Sequence, residues 1–409
     1  MAHPTDSTSC SRGAEMTALE RELKHFGGAG LFEVPISTSN LYCPSMEQVL
    51  EYSRPMTAAD TRAYPGKIAA QLEERLAQYH GAEHCVSFSS GFWALVAAVV
   101  HRALPDRSEV LVPSFTYRRL ADAVNWTGKT PVFVDIEADS QAICLESTRA
   151  SISPRTSLIL AVHPIVNCCD VEAFIELSKE SGVPIVFDAV ESVHETVKGR
   201  RVGSFGPPEV FSLHASKLIN GMEGGYICTS DASLAEELRA ARAHGSGSSG
   251  GVGMNAVLCD GHAAFTLAGL DEIERNVDHN RDIYGAYQAG LKDLESIQLL
   301  EFDAGEQTSF KNIVVEVGTD YPLSRDELVA FLNSERILAR AHYDPPLHRK
   351  SYTFPVVKQE LPRSDRARSL YLNLPCGARV STADVATVCE LLAFLAENPL
   401  ESSAKGSGQ

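Results

Sequence analysis

From residue 84 onward the chain repeats one rhythm. A short unbroken apolar run is followed by a turn, then by a segment whose apolar residues recur every three or four positions. HCVSFS (84–89), EVLVPSF (109–115), TPVFVDI (130–136), SLILAVHPI (157–165) and VPIVFDAV (183–190) are the apolar runs. PGKIAAQLEERLAQYHG (65–81), FWALVAAVVHRAL (92–104), YRRLADAVNWTG (117–128) and DVEAFIELSKESG (170–182) carry helical spacing. Continuously apolar strands alternating with helices predict an α/β fold, a mostly parallel central sheet with helices on both faces.

After residue 227 the pattern changes. SLAEELRAARAHG (233–245) reads as a helix, and one long helical region is predicted over 262–294. NIVVEVG, DELVAFLNSE and ILARAHY then form a smaller C-terminal α+β unit. The predicted organisation is an N-terminal arm and polar tail (1–64), a large domain (65–270), a small domain (271–399) and a mobile tail (400–409). Residues 1–15 are read as mobile too, and the glycine-serine run 245–253 as a lid or interface loop.

The 409 residues include 36 Lys plus Arg against 53 Asp plus Glu, a formal charge of −17. That balance argues against nucleic acid or an anionic membrane as the main partner. No apolar run reaches transmembrane length, and the first 22 residues lack a signal peptide's apolar core. Ten cysteines are scattered without a C-x-x-C pair, so no metal site is expected. A cytoplasmic enzyme is the simplest reading.

Ligands of open α/β sheets bind beyond the carboxyl ends of the strands, and three such ends carry candidate chemistry. In SFSSGFW, Ser90 and Gly91 stand between strand and helix, where free amides suit a phosphate; a plain helix cap is the simpler reading. In VPIVFDAVES, Asp188 ends a strongly apolar strand, as a helix N-cap or as an anion aimed at a ligand cation. In EVFSLHASKLINGMEGG, Lys217 follows a strand, as a solvated loop lysine or as a reactive amine. It comes 29 residues after Asp188, enough for an excursion and a new strand returning to the same mouth.

FSLHASKLINGMEGGYI, FDAVESVHETVKGRRVGSFG, VSFSSGFWAL, VPSFTY and YDPPLH together resemble, in order and spacing from about 65 to 393, the DegT/DnrJ/EryC1/StrS sugar aminotransferases. The resemblance implies fold type I and pyridoxal 5'-phosphate. It implies catalytic roles for Lys217, which would carry the cofactor aldehyde as a Schiff base and then shuttle protons, and for Asp188, which would keep the ring nitrogen protonated. Tyr117 would stack on the ring. Ser90, Gly91 and Ser212 would bind phosphate, as would the Phe92 amide, and Asn220 would do so across a homodimer interface. His348 and Tyr343 are candidate substrate contacts. Glu191 would stand near the cofactor's phenolic oxygen, where the family has His or Gln, and must be protonated, turned away or put to another use; the plainer reading is a carboxylate that faces solvent or pairs with a nearby Arg or Lys. Phe92 replaces the family's Thr, and Val166 replaces a glycine. The implied reaction is transfer of an amino group from glutamate or glutamine to a keto sugar, with nucleotide linkage expected. The alternative is elimination, dehydration or amination of a non-sugar ketone in secondary metabolism. A cofactor-binding regulatory protein is a third class, opposed by the intact Lys217 and Asp188.

Overall fold

The computed structural model describes residues 18–57, 66–245 and 253–399. The two predicted tails therefore lie outside the described residues, as does 246–252 of the glycine-serine run. Seven strands form the large sheet: β1 (His84–Phe88), β2 (Glu109–Pro113), β3 (Thr130–Val134), β4 (Thr156–Val162), β5 (Ile185–Asp188), β6 (Glu209–Ser212) and β7 (Gly225–Thr229). Their spatial order is β1-β7-β6-β5-β4-β2-β3. Each apolar run of the sequence is a strand, and almost every residue in them is buried, as two covered faces require. Only β7 runs against its neighbours, antiparallel to both β1 and β6. A tight return from β6 through the 213–224 loop permits that direction, whereas the connections from β1 through β5 are helical crossovers and the β5–β6 connection is a helix-free excursion.

Helices α1 (Met46–Ser53), α2 (Lys67–His80) and α3 (Gly91–Arg102) lie N-terminal to or among these strands. The expected single helix over 262–294 is two helices, α4 (Asp260–Asp271) and α5 (Ile273–Leu291). Glu272, at φ −100° and ψ 6°, breaks the run while its amide still bonds back to Gly269 and Leu270. The break lets α4 lie in the large core and α5 leave it. Ile273 and Val277 pack in the large core, while Ile283, Tyr287 and Leu291 pack in a second one. That second core surrounds a four-stranded sheet of β8 (Ile297–Leu299), β9 (Ile313–Val317), β10 (Arg340–Ala341) and β11 (Tyr371–Leu374), in the order β8-β9-β11-β10.

One buried ion pair supports the strand that leads to the Ser90–Gly91 turn. Arg242 is 1% exposed, and its guanidinium donates to Glu73 and to the Ser87 carbonyl at 2.6 Å. Glu73 also accepts from the Ser87 amide at 2.9 Å and hydroxyl at 2.6 Å. Removing one partner strands a buried charge. Arg242→Met is therefore expected to lower stability by about 3–5 kcal/mol in denaturant titration; a loss below about 1 kcal/mol would mean the pair is not structural.

Candidate active site

Strands β5 and β6 are parallel neighbours, with Phe187 opposite Glu209 and Asp188 opposite Val210. The 189–208 excursion between them contains a small two-stranded ribbon, Thr196–Val197 with Arg200–Arg201. It returns the chain beside its starting point, so Asp188 and the loop bearing Lys217 leave the sheet at one mouth. That loop is tied to itself: Leu213 N donates to Gly224 O at 2.9 Å, Ala215 N to Met222 O at 2.9 Å, and Lys217 N to His214 O at 2.9 Å.

Asp188 is 1% exposed. Its Oδ1 accepts the Val190 amide at 3.2 Å in a short turn; no helix begins there, which removes the N-cap reading. Burial pushes its carboxyl up to about 6, against the pull of that amide and of the Lys217 charge. Burial alone pushes the Lys217 amine down to about 8, with Asp188 and Tyr117 opposing. A carboxylate so placed calls for a cation, and an amine so placed is close to its reactive form at neutral pH.

Glu191 neither faces solvent nor stands free. Lys217 Nζ donates to its Oε1, and Lys311 Nζ donates to its Oε2. Of the alternatives open for it, this is another use: it is clamped between two ammonium groups, one of them Lys217. Burial pushes the Lys311 amine down to about 7, with the Cys376 thiol opposing.

At the third strand end, Ser90 caps α3, its Oγ accepting the Trp93 amide at 3.2 Å. The cap and the anion site coexist, because amides of the first helical turn have no intrahelical acceptor. Gly91 is needed by its surroundings: an added Cβ would stand 2.9 Å from Ser212 Cβ and 3.1 Å from its Oγ. That close approach sets the start of α3 against Ser212 and leaves the amides and two hydroxyls around one cradle. Phe92 turns its ring onto Trp93, 5.7 Å away edge to face, and contributes only backbone.

The remaining candidates are placed as follows. Tyr117 is 46% exposed, and its phenol is near enough to act electrostatically on Lys217 and Tyr343. Burial and the Asp188 charge push the Tyr343 phenol up, and its ring lies 5.5 Å from Phe115. His348 is buried in a network of its own, Nδ1 2.6 Å from Ser114 Oγ and Nε2 3.2 Å from Asp365. Asn220 donates through Nδ2 to the Tyr42 carbonyl at 2.9 Å, so within this chain it ties the loop to the N-terminal arm.

Two participants escape a reading of motifs. Lys311 precedes β9 and lies far from Glu191 in sequence; its signal is a lysine set directly before an apolar strand, as in FKNIVV. His163, one residue past β4, donates its amide to the Asp188 carbonyl at 3.1 Å and stacks on Phe187 at 5.7 Å.

Pyridoxal phosphate presents a phosphate, a basic ring nitrogen and an aldehyde. The glycine-limited cradle fits the first, the buried Asp188 the second and the desolvated Lys217 the third. The profile of the DegT/DnrJ/EryC1/StrS aminotransferases matches residues 47–393. The chain is 28% identical to the GDP-perosamine synthase of Caulobacter vibrioides over 80% of its length and 90% of that enzyme. It is also 28% identical to the UDP-N-acetyl-3-dehydro-alpha-D-glucosamine 3-aminotransferase of Acidithiobacillus ferrooxidans, over 80% and 88% of the two chains. Its fold is similar to the crystal structure of DesI in the presence of its TDP-sugar product, with a TM-score of 0.87, 29% identity and coverage of 92% and 96%.

Asp188 yields a prediction about stability. Its carboxyl is raised from 3.8 to about 6, so it favours the folded cofactor-free protein below about pH 4, and that favour is lost as pH rises through 6. The difference corresponds to roughly 3 kcal/mol. Cofactor-free Asp188→Asn is expected to be more stable than the parent at pH 7, by up to about 3 kcal/mol, and to show no gain at pH 4. Equal stability of the two at pH 7 would contradict the burial cost.

Proposed function

The chain belongs to the DegT/DnrJ/EryC1/StrS aminotransferase family, and from that footing we propose that it transfers an amino group from glutamate or glutamine to a keto sugar carried on a nucleotide. The enzyme is a pyridoxal-phosphate-dependent aminotransferase of fold type I. The substrate reading draws support from relatives whose names specify GDP-, UDP- and dTDP-linked sugars. The observation that carries the assignment of residues is the meeting of Asp188 and Lys217 at one mouth, beside the Gly91 cradle.

Bound, the cofactor supplies an electron sink for the carbon that gains or loses the amino group. In this reading Ser90, Ser212 and the Gly91 and Phe92 amides hold its phosphate. Asp188 keeps a proton at the ring nitrogen, offsetting the cost of its own burial with a charge-assisted contact. Tyr117 covers the ring face. Lys217 Nζ carries the cofactor and, once released, moves a proton to and from the substrate carbon. Tyr343 and His348 meet the sugar, His348 being held by Ser114. Elimination or dehydration drew on the departures at Phe92, Glu191 and Val166; the engagement of Glu191 by Lys217 and Lys311 supports transamination over it.

We read residues 65–270 as the cofactor-binding domain and 271–399 as the smaller one, with α5 running from one core to the other. A second copy of the chain is assigned to the apolar face of the arm. Met46 and Met56 of the arm are 56% and 44% exposed there, beside Met222 of the Asn220 loop, which is 54% exposed. Among the described residues, no helix is long and apolar enough to cross a membrane. A cytoplasmic place in secondary metabolism goes with this reading.

Borohydride reduction of the cofactor-loaded enzyme is expected to leave the added mass on Lys217 in a peptide map; the mass on another lysine overturns the assignment. Adding glutamate or glutamine without a sugar is expected to convert the cofactor's visible absorbance to that of its amine form, and failure with both donors contradicts transamination. Lys217→Ala is expected to slow that conversion by about 10²–10⁴-fold. Sedimentation at micromolar concentration is expected to give a homodimer, and a fully active monomer would refute the shared interface.

A further inference from the structure

Lys311 lies two residues before β9 of the small sheet, yet its ammonium reaches Glu191 at the mouth of the large sheet. Its side chain is 7% exposed, and Glu191, its partner, is 19% exposed. Two long side chains, one from the excursion between β5 and β6 and one from the approach to β9, therefore meet in a site largely closed to water. Glu191 divides its oxygens, Oε1 to Lys217 and Oε2 to Lys311. The backbone around Lys311 is fixed: its carbonyl accepts Asn40 Nδ2 at 3.3 Å, and Asn312 Nδ2 donates to the Ile165 carbonyl at 3.3 Å. The ammonium is thus presented by a rigid segment and not by a loose loop.

We propose that Lys311 is a positioning residue that sets the charge felt by the Lys217 nitrogen, by holding Glu191 and cancelling its carboxylate. The inference rests on Lys217 being the lysine that carries the cofactor. Consider the charges facing that nitrogen. Asp188 stands on β5, Tyr117 on the segment after β2 and Glu191 on the excursion, with Lys311 behind Glu191 and the Cys376 thiol facing Lys311. A lone Glu191 would add a second buried carboxylate to Asp188. The Lys217 nitrogen would then hold its proton to a higher pH, whether free or joined to the cofactor. With Lys311 in place the Glu191–Lys311 pair is neutral. Asp188 is left as the one uncompensated anion, and its natural partner is the ring nitrogen.

The pair also makes the site depend on both sheets. If the small sheet moved away, Lys311 would leave Glu191 and the Lys217 nitrogen would become harder to deprotonate. Chemistry at Lys217 is thereby tied to the assembled arrangement of the two sheets.

The test is a pH titration of the holoenzyme's visible absorbance, which reports the proton on the Lys217 nitrogen. Lys311→Met is expected to raise the midpoint by about 1–2 pH units. Lys311→Arg, which keeps the charge, is expected to restore it to within a few tenths. In the Glu191→Gln background, Lys311→Met is expected to move the midpoint by much less, because no carboxylate remains to be uncovered. An unchanged midpoint in folded Lys311→Met overturns the proposal. So does an equal shift with and without Glu191, which would mean that Lys311 acts by another route. Mapping borohydride-added mass on the same samples separates the two failures: mass absent from Lys217 in the parent enzyme refutes the cofactor assignment, whereas mass on Lys217 with an unmoved midpoint refutes only the role of Lys311.

Discussion

Everything at this site follows from the cost of holding charge where two parallel strands end. Asp188 closes an apolar strand, stands between Val162 and Val210 of the flanking strands, and is almost fully removed from water. A carboxylate there is unfavourable by itself, so the protein must supply cationic company or accept that the group stays protonated. The parallel pairing of β5 with β6 brings Lys217 to the same mouth. Glu191 and Lys311 then settle the remaining charge. A cofactor with a protonatable ring nitrogen would complete the arrangement that the apolar strands impose.

The large sheet was legible because its strands are buried on both faces and so show unbroken apolar runs, from HCVSFS to VPIVFDAV. The return of Lys217 to the mouth was also legible from the length of the interval after Asp188. Other features were not. The reversed direction of β7 depends on how the 213–224 loop folds back on itself. The break at Glu272 carries no glycine or proline and shows only in backbone angles.

Pair contacts between distant segments are the hardest to read. Glu191 could be singled out by its place near Asp188, but its partner sits 120 residues away. Nothing local to ESVHETV indicates a lysine in SFKNIVV. Likewise Asn220 could be picked from its loop, while its bond to the Tyr42 carbonyl depends on where the N-terminal arm lies. His348 shows the converse. Its motif drew attention to the ring, yet Ser114 and Asp365 hold that ring in a buried network.

The central claim is that Asp188 and Lys217 hold opposite parts of one cofactor at the shared mouth of β5 and β6. A crystal structure of the protein grown with pyridoxal phosphate tests it most directly. Expected are an Asp188 carboxylate oxygen within hydrogen-bond distance of the ring nitrogen, density continuous from the cofactor to Lys217 Nζ, and the phosphate at the Ser90–Gly91 turn beside Ser212. A cofactor bound with its ring nitrogen turned away from Asp188, or joined to a lysine other than Lys217, would contradict it.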